Sequence, residues 1–197
     1  MAVASGLAIA LGANLGHPTR TLAAVRPLLS QQLLDWAGFP LLLRWSPLFR
    51  TAPVGGPPDQ PSFINAVLLA VRPEPVETGV KAGLEPWPDP LGLLERLQGL
   101  EACFGRQRLE HWGPRSLDLD LLWCAGARRH GPQLELPHPR LRQRAFVIGP
   151  LAAIEPQLVL PGGLETAASL LAELLSRSGA EPPPLLLPAQ DGWPEGG

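Results

Sequence analysis

Leu117-Asp118-Leu119-Asp120-Leu121-Leu122-Trp123 alternates leucine with aspartate at a period of two, the signature of a strand with one side on a core and the other side polar. Ahead of it, Asp89-Pro90 opens a helix carrying Leu93, Leu94, Leu97, Leu100 and Phe104 at helical spacing. Further upstream, Leu41 to Arg50 and Phe63 to Val71 read as two strands, and the stretch between them, TAPVGGPPDQPS, is too rich in proline and glycine for either element. Leu7 to Leu11 is a first strand ending in Gly12-Ala13-Asn14. Pro18 then suits the first turn of a helix with Leu22, Val25, Leu28 and Leu29, which Pro27 is expected to kink or split. The order is βαββαβ.

Downstream, Gln133 to Leu136 reads as a short partner of the 117–123 strand, and Leu141 to Ile154 and Leu164 to Ser176 read as helices. The whole argues an α+β fold, a ferredoxin-like α/β sandwich with an antiparallel sheet, a βαββαβ core and additional C-terminal helices. Residues 1–178 are expected to form a single domain and residues 179–197, GAEPPPLLLPAQDGWPEGG, a loosely held Pro-rich tail. A second irregular stretch covers residues 73–88.

Composition narrows the function. A chain of 197 residues with 45% apolar content can bury a real core, and its formal net charge of −2 gives no basic field for a nucleic acid or an anionic membrane. Lys81 is the only lysine among 16 basic residues and tyrosine is absent, a skew that coding bias explains, so an arginine is not a ligand merely by being one. Cys103 and Cys124 are too few for a disulfide framework and have apolar neighbours, as buried free thiols in a reducing cytoplasm would. The apolar N-terminus has no basic residue before Arg20, unlike a signal sequence, and no later run suits a membrane span. A soluble cytoplasmic protein is expected.

Asp118 and Asp120, two apart on a strand, share one face. Side by side, they call for a counter-charge, and a hard divalent cation with oxygen ligands, best Mg²⁺, would supply it. A solvated strand face is the plain alternative. Arg106, Arg108 and Arg115 precede the pair and Arg140, Arg142 and Arg144 follow it, and guanidinium forks with a divalent cation are a standard grip on polyphosphate. No P-loop pattern exists, so a nucleotide site would be of another kind. Phe63 and Asn65 also share a strand face, pairing a flat ring with an amide that donates and accepts; this suits a planar heterocycle, or else a core ring and a turn-capping amide.

The ordered segments FRTAPVG, DQPSFINA, WGPRSLDLDLL and LPHPRLRQRAFVIGPLAAIEP closely resemble the 6-hydroxymethyl-7,8-dihydropterin pyrophosphokinase family of folate biosynthesis, over about Leu7 to Pro161. The resemblance implies a monomeric enzyme that moves pyrophosphate from ATP to the pterin's hydroxymethyl oxygen, leaving AMP. By the same resemblance, Asp118 and Asp120 are the metal ligands, for two Mg²⁺ ions with ATP as co-substrate. It names Arg106, Arg108, Arg115, Asp118 and Asp120 as catalytic, with Gln98, Glu101, Leu121, His138 and Arg144 joining the three arginines at ATP. The implied pterin pocket is Asn14, Thr51, Pro53, Val54, Phe63, Asn65 and Phe146, and Arg106 and Arg108 would ride a mobile lid. Partners are then small molecules, with no nucleic acid and no membrane. One departure is Ala13, where the family usually has serine; another is the lid between Gly105 and Trp112, one residue shorter than the usual form and with His111 where arginine is common, which leaves the alignment open at Leu109 to His111. The rival reading, from another class, is a non-catalytic ferredoxin-like module binding a nucleotide or RNA.

Overall fold

In the first strand, β1 (Leu7–Ala13), large residues alternate with small ones: Leu7, Ile9, Leu11 and Ala13 face one way and Ala8, Ala10 and Gly12 the other. The large side joins the main core with helices α1 (Pro18–Ala37) and α2 (Pro90–Cys103), through Leu22, Val25, Leu29, Leu33, Leu93 and Leu97. The computed structural model describes residues 6–73, 86–106 and 113–194.

β1 lies at the centre of an antiparallel sheet. On one side it pairs with β4 (Phe63–Val71) and on the other with β5 (Asp118–Cys124), with one register shift at Ala8/Ile9. Beyond β4 come β2 (Leu42–Trp45) and β3 (Phe49–Thr51), both antiparallel to it, and along β3 lies β8 (Leu185–Leu186). Strands β6 (Arg129–His130) and β7 (Glu135–Leu136) form a separate hairpin. The small-residue face of the sheet is covered by α3 (Ala145–Ile154) and α4 (Ala167–Ser176), whose Val147, Ile148, Leu151, Leu170 and Leu174 pack on Ala8, Val67, Leu69, Leu122 and Trp123. Helices therefore flank the sheet on both faces, an α+β fold.

Local chemistry sets several boundaries. The Asp89 carboxylate accepts from the Leu91 N–H at 3.0 Å and caps α2, as its sequence demands. Gly38 closes α1 at φ 71, in the left-handed region where glycine carries no Cβ penalty. α1 runs on through Pro27 and is not split there, because Leu22, Val25, Leu29 and Leu33, all fully buried on the sheet, outweigh the one lost backbone bond.

Four further expectations are corrected. The 41–50 strand is two strands, broken at Ser46-Pro47-Leu48, and the break is bridged by Ser46, whose N–H donates to Val67 O while its Oγ accepts from Val67 N, each at 2.9 Å. Residues 135–136 pair with 129–130 and not with the 118–124 strand, since a two-residue ladder forms most readily within its own turn. Cys124 is buried, its thiol pushed up to about 12 by desolvation, but Cys103 is exposed at the end of α2. Residues after Gly179 lie along the body: Leu185 and Leu186 pair with β3, and Trp193 is buried against Trp45 with its Nε1–H on Ser46 O at 2.8 Å. Composition is blind to this, because backbone pairing at a sheet edge and one large ring can hold a segment otherwise rich in proline. Of the 73–88 stretch, residues 74–85 lie outside the described residues.

Candidate active site

The small-residue face of β1 decides where a ligand can lie. Toward Ala8 it is filled by α3 and α4; toward Gly12 it is open. Gly12 pairs with Asn65 on one side and Asp118 on the other, and Ala10 pairs with Asp120, so amide and carboxylates stand in one row across three strands above a floor with almost no side chains. A Cβ at Gly12 would come within 2.8 Å of Asn65 Oδ1. The resulting cleft, about 630 Å³ counting the solvent in its mouth, is lined by Thr51, Val54, Phe63, Asn65, Arg115, Asp118, Asp120, Arg144 and Phe146, with Ala52 and Gly55 at the rim. Mixed apolar rings and a few convergent polar groups are what a small planar ligand needs.

Thr51 holds Asn65 by its amide, Nδ2–H to Oγ1 at 2.7 Å, both residues buried. The Arg115 guanidinium lies 5.8 Å from the Phe63 ring centre and that of Arg144 lies 5.2 Å from Phe146, so each ring carries a cation at its edge of the cleft.

Asp118 is clamped between cations. Its Oδ1 is 2.6 Å from Arg106 Nη1 and its Oδ2 is 2.6 Å from Arg115 Nη1. Arg106 also pairs with Glu101, whose buried Oε1 accepts from the Leu119 N–H at 2.7 Å. Glu101 thus pins β5 and a basic residue together. Asp120 has no such clamp among the described residues: burial, then the charge of Asp118, pushes its carboxyl up to about 6. Arg144 is held below the usual guanidinium range, first by burial, with Asp120 pulling the other way. A hard divalent ion fits this donor set, because two carboxylates on one strand face offer it oxygen ligands and the charge of Asp118 still raises the Asp120 carboxyl. Among the described residues no three His, Cys, Asp or Glu side chains gather to hold a metal, so water and ligand oxygens would complete the shell.

Other positions singled out by sequence are not among the lining residues of the cleft. Asn14 is buried, its Oδ1 accepting from Arg115 N at 2.7 Å and its Nδ2 donating to Pro61 O at 3.1 Å, so it braces the loops around the cleft. Gln98 is exposed, because the turn of α2 that buries Glu101 turns Gln98 outward. Leu121 faces the main core, and Pro53 is half-buried between the lining residues Ala52 and Val54. His138 is half-buried, its N–H on Leu122 O at 2.7 Å and its Nδ1 accepting from Arg140 N at 3.1 Å. Burial first, then Arg144 and Arg140, lowers its pKa, which favours the neutral ring, and the accepting Nδ1 puts the proton of that ring on Nε2. Arg108 and Leu109 to His111 lie outside the described residues. The floor residues Ala10 and Gly12 were missed, although the large-small alternation of β1 was legible as a signal for them.

The model of the 7,8-dihydro-6-hydroxymethylpterin-pyrophosphokinase family matches residues 8–156. A 2-amino-4-hydroxy-6-hydroxymethyldihydropteridine pyrophosphokinase from Pseudomonas aeruginosa is 37% identical over 155 residues, 79% of this chain and 83% of that one. The protein of the same name from Methylorubrum extorquens is 37% identical over 166 residues, 84% and 91% of the two chains. Among solved structures, wild-type Plasmodium falciparum HPPK-DHPS superposes with a TM-score of 0.54 at 13% identity, a likeness of fold, covering 87% of this chain. This chain spans 45% of the length of that larger one.

Proposed function

Since the chain belongs to the 7,8-dihydro-6-hydroxymethylpterin-pyrophosphokinase family, whose reaction is transfer of pyrophosphate from ATP to 6-hydroxymethyl-7,8-dihydropterin in folate biosynthesis, we propose how its cleft divides that work. The observation that carries the reading is the row Asn65, Gly12, Asp118 across three strands, which sets a heterocycle-reading amide beside a carboxylate pair. The pterin lies between Phe63 and Phe146, read at its edge by Asn65 and walled by Thr51, Pro53 and Val54. Asn14 acts from behind, by fixing Arg115.

ATP enters from the side of Arg115 and Arg144, with Arg106, Arg108 and His138 around the triphosphate. Asp118 and Asp120 would hold the two expected Mg²⁺ ions, which would supply charge neutralisation on the phosphates. Arg106 and Arg115, both paired with Asp118, stand beside the carboxylate pair, so their charges are placed where negative charge develops on the transferred group. The neutral His138 offers its Nε2–H as a hydrogen-bond donor. Glu101 holds Arg106 and β5 in register; Gln98 and the Leu121 backbone lie on the nucleotide side. Positioning of two substrates supplies much of the acceleration.

The core is a ferredoxin-like βαββαβ sandwich on this reading, supported by the sheet order if β2 and β3 count as one interrupted strand beside β4. The chain acts as a monomer on small molecules, without nucleic acid. No described helix is long and apolar enough to cross a membrane.

Mixing the protein with hydroxymethyldihydropterin, ATP and Mg²⁺ tests the reaction: AMP and the pterin diphosphate are expected, and ADP in place of AMP would overturn it.

A further inference from the structure

Helix α3 carries two residues of the cleft, Arg144 at its N-cap and Phe146 in its first turn, yet it begins without a cap of its own. The first amides of a helix have no partner within it and need outside acceptors. One arrives from 36 residues downstream: the Ala145 N–H donates to Glu181 Oε2 at 3.2 Å. The charges of this carboxylate and of the Arg144 guanidinium attract each other. Burial raises the Glu181 carboxyl against the pull of that amide and that cation.

The chain after Glu181 keeps it there. Pro182, Pro183 and Pro184 follow without interruption, and consecutive prolines form an extended, stiff spacer with little freedom to lose on folding. Pro184 lies on Gly149, one helical turn along α3, where a Cβ would come within 3.0 Å of its Cγ. Leu185 and Leu186 then pair with β3, and the Leu187 N–H donates to Leu48 O at 2.9 Å. The segment therefore ties the first turn of α3 to the strand that ends in Thr51, one wall of the cleft to the other. All of it lies beyond the residues the family model matches.

We propose that Glu181 is a positioning residue of this active site, capping α3 in trans and so fixing the Arg144 guanidinium and the Phe146 ring at the substrates. A carboxylate at a helix N-terminus is favoured both by the free amides and by the helix dipole. The proposal rests on the reading of Arg144 as a phosphate ligand, and the test separates the two.

Four proteins, the parent, Glu181→Ala, Arg144→Ala and the double variant, are compared in steady-state AMP formation with ATP and pterin varied in turn. Glu181→Ala is expected to raise the KM for ATP about threefold to tenfold, the range a lost cap commands, with kcat within about twofold. In the Arg144→Ala background the same change should add less than about twofold, because the residue it positions is gone. Glu181→Gln keeps an acceptor oxygen and should restore most of the loss. An unchanged KM in Glu181→Ala, an effect of equal size in both backgrounds, or a Glu181→Gln variant as impaired as Glu181→Ala would each overturn the proposal. A normal KM for ATP in Arg144→Ala would instead sink the phosphate role of Arg144. If Glu181→Ala melts too low to assay, Glu181→Gln against Glu181→Lys decides: parent-like ATP kinetics for Gln and a raised KM for Lys support the cap, and equal kinetics refute it.

Discussion

The two faces of the central sheet are built from the same strands and do opposite things. On one, Leu7, Ile9 and Leu11 of β1 stand beside Leu119 and Leu121 of β5 and Ile64, Ala66 and Leu68 of β4, all closed over by α1 and α2. On the other, the same strands present Ala10, Gly12, Asp118, Asp120, Phe63 and Asn65. The second face is polar where α3 ends and apolar where α3 covers it. Side-chain size on β1 teaches why: the large face needs no cover but helices, whereas the small face leaves a volume, and the charged neighbours of that volume have to find ligands or one another.

Changes that convert one face toward the other should separate activity from stability. The largest effect is expected for Asp120→Ala. Removing half of the metal-binding pair should lower turnover about 10³-fold or more while the melting midpoint holds or rises, because a half-buried carboxylate repelled by Asp118 is also removed. Near-normal turnover would end the metal role; depletion of divalent cations with a chelator should mimic the variant and Mg²⁺ should reverse the loss. Second comes Ile9→Ala on the closed face, fully buried, where a cavity should destabilise the protein by about 2–5 kcal/mol in denaturant unfolding. The folded fraction should keep its KM for both substrates, and a raised pterin KM would show that the two faces are coupled. Third, Gly12→Ala puts a methyl group against Asn65 and should raise the pterin KM about tenfold, roughly 1.4 kcal/mol of binding, without changing the KM for ATP. Equal shifts in both would mean that the floor serves the whole cleft. The smallest effect is expected for the exposed Gln98→Ala, within about 0.5 kcal/mol in stability. A several-fold change in its KM for ATP would extend the nucleotide subsite onto α2.

The segments that were legible in the sequence are those whose pattern is local. The period of two at 117–123, the Asp89-Pro90 cap and the helical leucines of α1 and α2 need no distant partner to be recognised. The site residues on strands were legible for the same reason, since Asp118 with Asp120 and Phe63 with Asn65 share a face by counting alone. Less legible were groups defined by what lies across from them. That Asn14 bridges Arg115 and Pro61 is not visible in its local sequence, and Gln98 and Glu101 look alike until α2 buries one and exposes the other. The segment after Gly179 was misread because its composition resembles that of unattached chain, while its attachment depends on a sheet edge and a core pocket contributed by residues more than a hundred positions away.

The sequence by itself determined the strands β1, β4 and β5, the helices α1 and α2, the carboxylate pair and the family, because periodicity, capping and motif order are properties of neighbouring residues. Only the tertiary structure decided that Gly12 separates Asn65 from Asp118, that Arg106 and Arg115 share one carboxylate, and that Glu181 reaches the start of α3. Those are contacts between segments far apart in the chain, and they exist only once the sheet has fixed which face each segment meets.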